Sequence, residues 1–223
     1  MESFQQMSAG STYLFLCNRF TDMIIFTALR VAYVVTALSS LVFAQVAYSD
    51  SITPVQQMNP CTCWAASAAM MLSARDGIPY TEISAAQAAG TYFEKRVKAI
   101  VPGEHCENQG LLGDDVNKFA DALGLTVNPP NNPTLAQWQT MLIKGPVWAG
   151  VALKEGTASW FGHIVVVTSI SKLGGSNPDV TYIDPMYGTF RTVKFDLLRA
   201  AIEAVPEHWA PKKKLPSQFL YWK

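Results

Sequence analysis

The order of two hydrophobic periods does most to limit what this chain can fold into. Up to Gly145-Pro146 the apolar residues gather in helical stretches; beyond it they gather in short β-branched runs. Cys63 to Arg75, "CWAASAAMMLSAR", lacks proline and glycine, is rich in Ala and Met, and stops at Asp76-Gly77. It predicts a buried helix whose first turn is at Cys63, with Pro60 and Thr62 near its start. "GDDVNKFADALG" predicts a second helix, acidic at its N-terminus and closed by Gly124. "NPPNNP" reads as a loop, after which Thr134 is expected to cap a third helix, Leu135 to Ile143. "VWAGVAL", "HIVVVTSIS", "VTYID" and "FRTVKF" then have the length and branching of strands, with "KLGGSNPD" as a turn. Asp196 is expected to cap a last helix, "LLRAAIEA". Helices first and strands second predict an α+β domain with a helical half and a sheet half.

A chain of 223 residues has room for one such domain and a terminal segment. That segment is Met23–Ala47, "MIIFTALRVAYVVTALSSLVFAQVA", in which only Arg30 is charged. It has the parts of a secretory signal: a positive residue, an apolar run from Val31 to Phe43, then small residues. Cleavage is expected after Ala44 or Ser49, and Met23 is a more ordinary start than Met1. An uncleaved anchor competes with this reading, since the stretch is about long enough to cross a bilayer. A buried core helix fits less well, because no polar face is present. Residues 1–48 are therefore assigned to a signal peptide or membrane anchor and residues 49–223 to the domain. The expected location is secreted or periplasmic, with membrane contact only through an uncleaved N-terminal segment. A formal net charge of +0 offers nothing to draw nucleic acid.

Removing the segment takes Cys17 with it and leaves Cys61, Cys63 and Cys106. An odd number in an exported protein suggests one disulfide and one free thiol. Cys63 at a helix N-terminus faces unpaired amides and the positive end of the dipole, which favour its thiolate. A thiolate is a nucleophile, and a base beside it completes the unit. Three histidines are available. His105 lies in a polar loop and His208 in the proline-bracketed "VPEHWAP", whereas His163 opens a strand after "SWFG" and is the best placed. Asp184 ends the strand "VTYID", expected to pair antiparallel with that of His163. Neighbouring strands lie about 4.8 Å apart, so the carboxylate can reach and orient the imidazole. Gln57, six residues before Cys63, can offer its amide beside the Cys63 N–H to an oxyanion, with Gln56 as its alternative by one step of register.

"QMNPCTCWAAS", "GHIVVV" and "YIDPMYG", in that order, resemble the three motifs of papain-like cysteine peptidases. The bacterial branch with avirulence-effector proteases and bacteriocin-leader peptidases is the most similar. The resemblance implies a papain-like fold with an N-terminal helical subdomain, a C-terminal antiparallel β subdomain and the active-site cleft between them. It implies Cys63 as nucleophile, His163 as general base and acid, Asp184 as its orienter and Gln57 as oxyanion donor. It requires no cofactor and no metal. Plant and lysosomal relatives carry Asn where this chain has Asp184, and place a disulfide cysteine three residues before the nucleophile rather than two. Cys61 is then expected to bridge to Cys106, which contributes roughly 4 kcal/mol in the chain-entropy model.

Blander readings exist for each residue. Cys63 alone would be an inert buried cysteine, and His163 a satisfied core histidine. A metal site from Cys61, Cys63, His105 and Cys106 fits no common zinc spacing. Trp64 is expected to anchor the core, while Trp160 and Phe161 are candidates to wall the cleft. "APKKKLP" reads as a solvated surface. The leading function is a cysteine peptidase that cuts peptide bonds through a Cys63 thioester, with a protein or peptide as substrate. A peptidoglycan amidase or acyl transferase would use the same triad, and a catalytically inert binding scaffold would keep only the fold.

Overall fold

The structure, a computed structural model, describes residues 52–100, 110–111, 115–128, 132–154, 160–171, 175–205 and 219–223. The expected signal or anchor at 1–48, His105, Cys106, His208, "APKKKLP" and the Trp160 side chain lie outside the described residues. Four helices come first: α1 (Cys63–Asp76), α2 (Glu82–Ala88), α3 (Thr91–Lys98) and α4 (Asp115–Leu123). Strand β1 (Leu125–Val127) and helix α5 (Leu135–Lys144) follow. Then come β2 (Val147–Lys154), β3 (Trp160–Ile170), β4 (Asp179–Asp184), β5 (Thr189–Lys194), α6 (Phe195–Glu203) and β6 (Phe219–Trp222).

Helix α1 is buried without a break from Cys63 to Leu72, and a helix apolar all round is stable only inside a core. It ends at Gly77 in the left-handed conformation, whose N–H returns to the Ser73 carbonyl. At α5 the Thr134 hydroxyl accepts the Gln137 N–H while the Gln137 side chain accepts the Thr134 N–H, a reciprocal box that starts the helix where expected. Asp196, in contrast, is not a cap. Lys194 still pairs with Asp179 at the end of β5, and buried Phe195 turns straight into the core, so the cap position falls on Lys194, two residues before Asp196. Asp196 sits in the first turn, where its charge suits the dipole and its N–H donates to Asn177 Oδ1 at 3.0 Å.

The strands form one sheet in the order β1-β6-β2-β3-β4-β5, with every neighbouring pair antiparallel. Along the strands the two faces alternate. Trp148, Ile164, Val166, Ile183 and Leu220 join the core around α1, with Phe93, Phe119 and Leu123 from α3 and α4. Val147, Ala149, Val165, Val167, Val180 and Phe219 face the other way, onto Trp138 and Met141 of α5 and Leu198 and Ile202 of α6. The third expected helix, α5, therefore does not join the other early helices; it covers the far face of the sheet. Strand β3 also starts earlier than expected, at Trp160, because β2 runs to Lys154 and pairs with it there. His163 thus lies within the strand, opposite Val151.

Candidate active site

Cys63 opens α1 and is a free thiol, 8% exposed. Thr62, the cap residue, makes no side-chain bond to the helix start. Its hydroxyl is turned instead to the Asn59 carbonyl and to Glu82, both at 3.0 Å. The positive end of α1 is therefore not closed by its own cap, and Cys63 stands at it. Cys61, two residues earlier, is disulfide-bonded. Its expected partner, Cys106, lies outside the described residues.

His163 reaches this point from the sheet. Its Nε2 meets Asp184 Oδ1 at 2.8 Å, and Cys63 lies beside the same imidazole, close enough to raise its pKa. Ile183 pairs with Val166, so Asp184, the last residue of β4, and His163 meet at one end of the two strands. Both are buried, 1% and 3% exposed. Burial pulls the His163 pKa down, yet the hydrogen bonds and charges of Asp184 and Cys63 outweigh it and push it up to about 9. Burial pushes the Asp184 carboxyl up, and the bond and charge of His163, the Met186 N–H and Arg191 bring it below the usual value.

This pair makes stability depend on pH with a defined sign. An imidazole raised from 6.5 to about 9 stabilises the fold fully below pH 6.5 and loses that contribution as pH rises through 9. A shift of this size corresponds to about 3 kcal/mol. Asp184, lowered from 3.8, stabilises above that pH and stops doing so as pH falls through its folded value. The urea midpoint is therefore expected to be highest between about pH 4 and 6.5 and to decline toward pH 9. Asp184→Asn should flatten the alkaline decline. A wild-type midpoint constant from pH 6 to 9 would remove the basis for the charged pair.

Gln57 is held from two sides. Its backbone N–H donates to the Pro185 carbonyl at 2.7 Å, and its Nε2 donates to the Asn59 carbonyl at 2.8 Å. Its Oε1 is buried with no partner among the described residues. Nitrogen is thus the end of the amide that Asn59 fixes. Gln56 is exposed and, among the described residues, its side chain reaches only the Met186 carbonyl, at 3.4 Å, whereas Gln57 is half-buried and tied to Asn59 and Pro185. The turn after Asp184 closes on this segment at Gly188. Its φ is +61°, and a Cβ there would sit 2.9 Å from Gln56 Cβ, so only glycine fits.

The structure thus brings Cys63, His163 and Asp184 together and ties Gln57 to the turn that follows Asp184. Two further residues escaped the sequence reading. Arg191 lies with Nε 3.6 Å from Asp184 Oδ2 and its guanidinium 4.2 Å above the Tyr187 ring. Its signal was available: β5 pairs Arg191 with Tyr182, which puts it on the diagonal of Asp184 once the hairpin is drawn. Glu82 is the other, and an acid at a helix start carries no signal beyond the dipole. Phe161 was a candidate wall; its ring stands edge-on, 6.3 Å from that of His163.

A thiol at a helix start, an imidazole beside it and a buried carboxylate bonded to the imidazole are the groups a thiol hydrolase needs. Residues 46–202, more than half of the chain, match the family model described as papain-like cysteine protease AvrRpt2. No curated protein matches the chain. An α+β domain with an antiparallel sheet is consistent with that family, and a protease acts on protein. The chain belongs to this family of papain-like cysteine proteases and is an enzyme, a thiol hydrolase that cleaves protein substrates.

Proposed function

We propose that the chain hydrolyses peptide bonds through a thioester on Cys63. The Cys63 thiolate attacks the scissile carbonyl carbon, and the oxygen takes up the displaced electron pair as an oxyanion. Gln57 Nε2–H and the Cys63 N–H donate to that oxygen. His163, through Nδ1, gives its proton to the leaving amine as the C–N bond breaks. It then takes a proton from the water that attacks the thioester, which frees the acid product and restores the thiolate. Asp184 holds the Nε2–H and so fixes the ring and its charge. The observation that carries this reading is the 2.8 Å bond between buried His163 and Asp184, with Cys63 beside the same imidazole at the start of its helix.

The same reading treats α1 to α4 as a papain-like helical subdomain and the sheet as its partner, with the substrate cleft between them. The nucleophile coming from a helix and the base from a strand supports this. The signal-like stretch Arg30–Ala44 supports action outside the cytosol.

Alkylation tests the thiolate–imidazolium pair without a substrate. Cys63 is expected to react with iodoacetamide already near pH 6, with the label located by mass spectrometry. His163→Ala should slow it about 10²-fold at that pH, toward the behaviour of an ordinary thiol. A slow wild-type reaction below pH 8, or a label on another cysteine, would end the assignment.

A further inference from the structure

Glu82 is a buried carboxylate that the proposed mechanism does not use. It stands at the start of α2 and is 2% exposed. A carboxylate in such a place costs free energy unless it is hydrogen-bonded. Oε1 accepts the Met58 backbone N–H at 2.9 Å and the Thr62 hydroxyl at 3.0 Å, while Oε2 is buried without a partner among the described residues. Both donors belong to one short turn. Met58 follows Gln57 and Thr62 precedes Cys63, so a single oxygen ties the two ends of the link between them.

Asn59 organises the turn from within. Its Oδ1 accepts the Cys61 N–H at 2.9 Å, and its carbonyl accepts both Gln57 Nε2–H at 2.8 Å and the Thr62 N–H at 3.2 Å. An acid placed to suit the α2 dipole would account for a glutamate at this position. It does not account for burial, nor for bonds to residues 20 and 24 positions away in sequence.

We propose that Glu82 is a positioning residue for the oxyanion hole: by fixing the Met58–Thr62 turn it sets the place of the Gln57 amide relative to the Cys63 N–H. The inference rests on the roles proposed above for Cys63 and Gln57. It has a consequence that a merely structural role lacks. Amide hydrolysis passes through an oxyanion; alkylation by iodoacetamide forms an S–C bond, releases iodide and develops no oxyanion.

In the full chain, with quenched fluorescent casein as substrate, Glu82→Ala is expected to lower kcat about 10- to 10²-fold with KM little changed. The rate of Cys63 alkylation should stay within about twofold of wild type, since no oxyanion donor is involved. Glu82→Gln keeps an acceptor at Oε1 and should restore most of the loss. Should Glu82→Ala not fold, Thr62→Val deletes one of the two ties while keeping the side-chain shape, and a several-fold fall in kcat is expected. An unchanged kcat in these variants overturns the proposal, and so does an equal fall in kcat and alkylation. A wild-type Cys63 that neither alkylates nor cleaves casein overturns the nucleophile assignment itself, and it does so before any Glu82 variant is compared.

Discussion

Cys63→Ala is expected to lower peptide hydrolysis by on the order of 10⁴-fold or more, with the fold retained. Under the proposed mechanism a nucleophile and its base act as one unit: without the sulfur no acyl-enzyme would form, and His163 would have nothing to activate but water. Retention of the fold follows from the site. Alanine is the best helix former, the next two positions on α1 are Trp64 and Ala65, and the loss is a single buried sulfur. The measurement is casein or peptide cleavage beside a thermal melt of each protein. Activity above a tenth of wild type in a folded Cys63→Ala protein would place the nucleophile elsewhere. Cys63→Ser tests the same point more narrowly, since a hydroxyl in the same position is a far weaker nucleophile at neutral pH.

The largest loss of stability is expected one residue later. Trp64 is 1% exposed and packs edge-on against Phe119, with ring centroids 5.2 Å apart, and against Phe93 at 6.3 Å. Its carbonyl accepts the Trp148 indole N–H at 3.3 Å, which fastens the first turn of α1 to β2. Trp64→Ala should cost about 3–5 kcal/mol, as large-to-small changes in a packed core do. A domain has only about 5–15 kcal/mol in hand, so much of the protein should be unfolded or close to it. Trp64→Phe should cost much less. It keeps an aromatic ring for Phe93 and Phe119, and it removes an indole N–H that is buried without an acceptor among the described residues. Urea titration of the three proteins measures both. Equal midpoints for wild type and Trp64→Ala would show that the aromatic cluster is not what holds the start of α1.

Much of the fold could be read before the structure was known. The runs at Cys63–Arg75, "DDVNKFADAL" and Leu135–Ile143 became α1, α4 and α5, because each joins a long helical pattern to a clear stop or cap. Four strands followed from β-branched runs between turn residues. The helices α2 and α3 did not stand out. Each is short, 7 and 8 residues, they are divided by Gly90, and the Thr81 box closes on Ser84 rather than on the glutamate or glutamine that marks such a start in sequence. Strands β1 and β6 escaped for another reason. They are 3 and 4 residues long and pair with each other across the chain, Leu125 with Trp222, so their extended shape comes from a distant partner.

The α+β class, the α1 helix with Cys63 in its first turn, and the pairing of His163 with Asp184 are legible in the order of residues along the chain. These follow from local period and from the antiparallel pairing that a short turn imposes on neighbouring strands. Packing in three dimensions is what lays α5 on the far face of the sheet, ties Gln57 rather than Gln56 to Asn59 and Pro185, and brings Glu82 to the turn before Cys63 and Arg191 to Asp184. Glu82 meets Met58 and Thr62 across 24 and 20 positions, and Gln57 meets Pro185 through one backbone bond. Contacts of that kind repeat at no period and belong to no single element. They exist once helix and sheet have packed, and packing is where the chain's order in space departs from its order in sequence.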